Sequence, residues 1–99
     1  MYLSVVTAPV QPDKWDEIAS LYQEFVASMV GGDSGILSAY LARVGDSNNA
    51  ISVVTYESEE KALASAEPNG AFTVAVSKLV HTFAGAPERK IDEVIAHQS

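Results

Sequence analysis

The sequence predicts an α+β domain whose antiparallel sheet carries helices on one face and a second copy of itself on the other. Three observations predict it. Short β-branched segments alternate with segments of helical period in the order β–α–β–β–α–β. The 99 residues suffice for one domain, 1–99. Hydrophobic residues make up 47% of the chain against 19% charged. A chain this short buries only about two thirds of the surface its unfolded form exposes, so that much apolar surface needs an outlet. A homodimer is the simplest; the alternative is a sticky surface for lipid or a large apolar ligand.

The elements follow in order. Residues 2–7 (Tyr-Leu-Ser-Val-Val-Thr) are β-branched and apolar and read as a strand stopped by Pro9. Gln11-Pro12-Asp13 reads as a helix start, with Asp13 as the cap and Asp16 and Glu17 in the first turn, where negative charge is favoured. Trp15, Ile18, Ala19, Tyr22, Phe25, Val26, Met29 and Val30 then recur at spacings of three and four and form one apolar stripe. Gly31-Gly32 ends that helix.

Residues 35–43 and 50–56 read as two strands joined by the turn formers 45–49, a β-hairpin. Period-2 alternation puts Ile36, Ser38 and Tyr40 on one face and Leu37, Ala39 and Leu41 on the other. Strands apolar on both faces are covered on both faces, which again asks for a second sheet. Ser58-Glu59-Glu60 opens another helix with a capping hydroxyl, carrying Ala62, Leu63 and Ala66. Pro68-Asn69-Gly70 interrupts it, and Phe72, Ala75, Val76, Leu79, Val80 and Phe83 resume the helical stripe until Gly85-Ala86-Pro87. Residues 89–96 read as the last strand. The order is that of a ferredoxin-like split βαβ sandwich.

Composition excludes several functions. Six Lys plus Arg face thirteen Asp plus Glu, a formal charge of −7, and only Arg89-Lys90 are adjacent bases. Binding to a phosphate backbone or an anionic membrane surface needs clustered positive charge, so neither nucleic acid nor membrane is an expected partner. No apolar run approaches the roughly 18 residues of a membrane span. The absence of cysteine removes disulfides, thiolate catalysis and Cys-based metal sites and fits a reducing cytoplasm. Met1-Tyr-Leu-Ser-Val-Val-Thr lacks the features of a signal peptide. His81 falls opposite the Phe72–Phe83 stripe and His97 lies in the tail, so no His-based metal site is expected. No phosphate-binding glycine loop or nucleophile elbow is present.

The element order and several local residues resemble the antibiotic biosynthesis monooxygenase family of dimeric α+β barrels. Asp33-Ser34-Gly35-Ile36-Leu37 is similar to the family's Pro-Gly turn, with Ser34 in place of proline. Tyr56-Glu57-Ser58-Glu59-Glu60-Lys61-Ala62-Leu63 resembles its strand-to-helix junction, with Tyr56 where an aromatic residue, often Trp, stands. Gly85-Ala86-Pro87 before a charged–apolar strand matches its usual ending. Relatives often carry a His soon after the Ala-Leu pair, where this chain has Ala66. The resemblance implies a homodimer with face-to-face sheets, a ligand cavity between each sheet and its helices, and oxygen insertion into phenols without flavin, haem or metal. Such chemistry asks the protein for a dry pocket, a proton acceptor and donors to a developing oxyanion.

The candidate residues follow. Tyr56, at the family's aromatic position, donates to a substrate oxygen or closes the end of the core with its hydroxyl in water. Tyr22, within the helical stripe, is either core or the polar contact of a cavity for a flat aromatic ligand. Arg43 stabilises an anionic intermediate or is solvated at a strand end. Trp15 and Phe72 are the expected walls, and Tyr40 faces the cavity or the dimer interface. The expectation is a cofactor-independent monooxygenase acting on a small aromatic or quinone-like molecule. The alternatives are a non-catalytic dimeric binding or stress-response barrel and, last, haem binding or degradation, which wants an inward-facing His.

Overall fold

The computed structural model of the chain describes residues 1–98. In chain order it comprises strand β1 (Tyr2–Pro9), helix α1 (Trp15–Met29), strands β2 (Ile36–Arg43) and β3 (Asn49–Tyr56), helices α2 (Glu59–Ala64) and α3 (Ala71–Leu79), a 3₁₀ turn (Val80–Thr82) and strand β4 (Glu88–Glu93). The sheet runs β2-β3-β1-β4, each neighbouring pair antiparallel. This is the ferredoxin-like α+β fold expected. The two apolar strands β1 and β3 take the centre, and the charged β4 (Glu-Arg-Lys-Ile-Asp-Glu) takes an edge, where charge discourages further strand pairing.

Several boundaries differ from the sequence expectation. Pro9 does not stop β1 but pairs with Asn49. The β1–β4 ladder ends at Thr7↔Glu88, so the N–H that proline lacks would face beyond it, and the Pro9 carbonyl accepts from the Ala84 N–H at 2.9 Å. Asp13 does not cap α1. Lys14 holds the N-cap position without a side-chain cap, and a turn from Gln11 to Lys14 sets the helix start. The stripe itself is as expected, with Ile18, Tyr22 and Phe25 buried. Gly31, at φ +83°, takes the left-handed conformation past the helix end.

The largest correction concerns β2. The pairing register shifts between Ile36 and Ser38, with Ile36 opposite Tyr56 and Ser38 opposite Thr55. Leu37 is the extra residue of a β-bulge, and a bulge breaks the period of two. Ile36 therefore shares the helix-facing side with Ala39 and Leu41, not with Ser38 and Tyr40. Leu37 and Tyr40 are exposed. β4 also ends earlier than residue 96: its ladder with β1 runs to Tyr2↔Glu93, the Val94 N–H makes a last bond to the Met1 carbonyl at 3.0 Å, and Ile95 is 91% exposed.

α2 begins as expected, the Ser58 hydroxyl accepting from the Lys61 N–H at 3.2 Å. A tight corner joins α2 to α3. Phe72 and Thr73 N–H groups both donate to the Ser65 carbonyl, at 3.0 and 3.2 Å. His81, in the 3₁₀ turn, faces solvent as its helical phase predicts and pairs with Glu17 of α1. That contact is the main reason the Glu17 carboxyl lies below the ordinary glutamate range.

The helices pack on one face through two adjoining clusters. One is built on Val10, Ile18, Tyr22, Ala50 and Leu79, the other on Phe25, Ile36, Tyr56, Ala62 and Ala71. Ser4, Val6, Ser52 and Val54 face the helices. By strand alternation Leu3, Val5, Ile51, Val53 and Thr55 lie on the other face, each partly exposed in the single chain.

Candidate functional site

Between sheet and helices lies a cavity of about 70 Å³, bounded by α1, α3 and the inner face of β1, β2 and β3. The helical period of α1 and α3 and the alternation of the strands bring apolar side chains to it from every side. Only four lining side chains carry a polar atom: Ser4, Tyr22, Ser52 and Tyr56.

Tyr22 spends its hydroxyl on the sheet. It donates to the Tyr40 carbonyl at 3.0 Å and lies 2.8 Å from the Ser52 hydroxyl. A phenol has one proton to donate, so Ser52 is the donor in the second contact. Burial raises the Tyr22 pKa, opposed by the Ser52 contact, and the phenol stays protonated at neutral pH.

Tyr56 differs. It is 2% exposed, and its hydroxyl is not committed to the sheet; its polar neighbour is the Arg89 guanidinium. Among the described residues no fully enclosed side-chain polar atom lacks a partner. The register of Arg89 on β4, opposite Val6, turns it inward. Arg89 Nε donates to Ser4 Oγ at 2.8 Å and one Nη donates to Ser65 Oγ at 2.7 Å. The guanidinium lies 4.1 Å from the centre of the Phe72 ring. Burial lowers the Arg89 pKa, while the nearby Tyr56 hydroxyl favours the charged form; the group remains a cation.

The structure thus brings Tyr22, Tyr56 and Phe72 to one cavity. Trp15, Arg43 and Tyr40 are not among its lining residues. Arg43 Nε donates to the Ser47 carbonyl at 2.7 Å and its guanidinium lies 4.8 Å from the Trp15 ring. Trp15 Nε1 donates to Asn48 Oδ1 at 3.3 Å. These residues clamp the β2–β3 turn. Tyr40 is 66% exposed on the sheet face away from the helices. Sequence reasoning missed Arg89. The signal was available: two residues from Ile91, an apolar residue that packs inward, Arg89 shares its face by alternation.

Among the described residues no group of three or more His, Asp or Glu side chains stands close enough to hold a metal ion. His81 and His97 are both exposed and away from the cavity lining. No described helix is long and apolar enough to cross a membrane.

No protein-family model matches the chain, and no curated protein matches it. Solved structures do. A Caulobacter crescentus CB15 protein provisionally named an antibiotic biosynthesis monooxygenase superposes with a TM-score of 0.77 at 24% identity, over 94% of this chain and 89% of that one. A Bordetella bronchiseptica protein of the same provisional name gives 0.79 at 14% identity, over 96% and 97%. One from Deinococcus radiodurans gives 0.77 at 13% identity, over 100% and 97%. Likeness at this identity is a likeness of fold. The chain has the ferredoxin-like α+β fold seen in structures named for the antibiotic biosynthesis monooxygenases.

Proposed function

We propose that the chain is a cofactor-independent monooxygenase that oxidises an electron-rich phenol, working as a homodimer in a reducing compartment such as the cytoplasm. One observation carries the reading: Tyr56 is a buried phenol in the wall of an otherwise apolar cavity, its hydroxyl beside the Arg89 guanidinium and accepted by no protein carbonyl or carboxylate among the described residues. The names of the structural neighbours point the same way. The cavity volume narrows the substrate. Sites for drug-sized ligands span roughly 300–1,000 Å³, whereas an apolar cavity of about 150 Å³ accepts benzene. A cavity of about 70 Å³ is under half of that, so a single ring is the largest occupant it admits, and only as the side chains of α1 and α3 move apart to receive it.

In this reading the ring is buried among the side chains of α1 and α3. Its ionised oxygen accepts from the Tyr56 hydroxyl, and the electron-rich anion reacts with dioxygen at the para carbon. One oxygen atom remains in the quinone and the other leaves as water. The four electrons come from the substrate, so no external reductant enters. Water exclusion by the apolar walls protects the reactive anion.

The test is dioxygen uptake by chelator-treated protein with a panel of single-ring phenols whose para position is free. Protein-dependent uptake with quinone formation is expected. No uptake across the panel favours a second reading, a non-catalytic dimeric barrel that binds a small aromatic molecule. That reading is supported by the Tyr22 donor being committed to the sheet and by Ala66, just past the end of α2, where relatives often carry a His. Haem binding finds less support, since neither histidine lines the cavity.

The homodimer reading is supported by the apolar sheet face opposite the helices. Light scattering should give twice the 10.5 kDa of the chain, and a single-chain mass at micromolar concentration would remove the dimer.

A further inference from the structure

Arg89 is a half-buried cation with no counter-charge. Its hydrogen-bond partners are the Ser4 and Ser65 hydroxyls and, at 3.5 Å, the Ala62 carbonyl, all neutral. The Tyr56 hydroxyl, also neutral, is its remaining polar neighbour. The chain carries thirteen Asp plus Glu, yet the ion pairs among the described residues are Lys14–Glu17 and His81–Glu17 only. Taking a charge out of water without a partner is costly. An arginine so placed holds unspent capacity for an anion, and its five donors suit an oxyanion better than any other side chain does.

Its position says where that anion sits. Ser4, Tyr56 and Phe72 all line the cavity, and all three stand against the guanidinium. The charge lies just behind one end of the wall. Through Tyr56 and Ser4 its field reaches a cavity that is otherwise apolar and weakly screened.

We propose that Arg89 is the charge-selecting residue of this cavity: it makes the Ser4–Tyr56 end positive, so that the ligand is held as an anion, its ring among the apolar walls and its ionised oxygen at the Tyr56 hydroxyl. Arg89 acts through the wall and is a positioning residue. The proposal rests on the reading that the cavity takes a single-ring aromatic molecule, and not on whether that molecule is turned over.

The experiment uses two probes on the full-length protein: 4-nitrophenol, whose absorption reports its ionisation, and its neutral methyl ether, 4-nitroanisole. Wild type is expected to bind both and to lower the apparent pKa of the bound phenol by at least about one unit, a tenfold preference for the anion. Arg89→Met should abolish that preference and leave the 4-nitroanisole Kd within about twofold of wild type. A bound phenol that ionises in wild type as it does in water overturns the proposal. So does an Arg89→Met protein that keeps the shift, or one that still melts cooperatively and loses both probes equally, the mark of a purely structural strut. Should Arg89→Met fail to fold, Arg89→Lys decides. It keeps the charge without the fork held by Ser4 and Ser65, so a bound phenol whose pKa is still lowered supports the proposal and one that ionises as in water overturns it. If wild type binds neither probe, the cavity reading and this proposal fall together. If it binds 4-nitroanisole without preferring the phenolate, the cavity reading stands and only the role of Arg89 falls.

Discussion

Replacing Tyr56 by Phe is expected to lower kcat/KM for the oxidised phenol about a hundredfold, the typical effect of deleting one donor to a developing oxyanion. Melting should change by only about 4 °C. The two expectations separate because of where the hydroxyl stands. The Tyr56 ring is packed against Phe25, Ile36 and Ala62, and phenylalanine keeps that packing. The hydroxyl's polar neighbour is Arg89, which keeps other partners when it is removed, so the stability cost stays near about 1 kcal/mol. Arg89 retains its Ser4 and Ser65 contacts. Steady-state oxygen uptake and a thermal melt on the same protein check both halves. Unchanged turnover would remove Tyr56 from the chemistry, whereas a large fall in melting temperature would make it a structural residue.

Gly70→Ala is expected to destabilise the chain by about 3 kcal/mol, a fall in Tm on the order of 15 °C for a domain of this size. The reason is space, not backbone conformation. Gly70 has φ −73°, which any residue adopts. A Cβ there would lie 2.2 Å from the Ser65 carbonyl oxygen, 2.4 Å from its carbon and 2.5 Å from the Ala64 oxygen. These are backbone atoms that no rotamer change can clear. The Ser65 carbonyl also receives the Phe72 and Thr73 N–H groups, and the Ser65 hydroxyl receives Arg89. Opening the corner therefore moves Phe72 in the cavity wall and one support of the guanidinium together. Calorimetry or a circular-dichroism melt reads the effect. A variant that melts like wild type would show that the corner adjusts freely.

The element order was legible because its signals are local. The α1 stripe follows from the helical repeat, the Ser58 cap from a hydroxyl before two acidic residues, and the hairpin from a run of turn formers. Asp13 was misplaced by one position because several residues before Trp15 offer a polar side chain and only the Gln11–Lys14 turn selects among them. Within the candidate site, Tyr22, Tyr56 and Phe72 were accessible from periodicity and from the strand-to-helix junction. Trp15 was expected at the cavity from the same stripe, but a stripe specifies an azimuth and not a height. Trp15 opens α1, one turn before Ile18, and meets the β2–β3 turn and Arg43 instead.

By itself the sequence determined the fold class, the helix faces, the lack of thiol chemistry and the apolar excess that calls for a covered second sheet face. These follow from composition and from repeats a few residues long. The tertiary structure decided which strand residues look inward and what they meet there. A bulge at Leu37 reverses the facing of β2 residues, and pairing with β1 turns Arg89 rather than Lys90 toward the helices. Both depend on hydrogen-bond register between strands distant in the chain, and a one-residue shift in register exchanges the two faces of a strand.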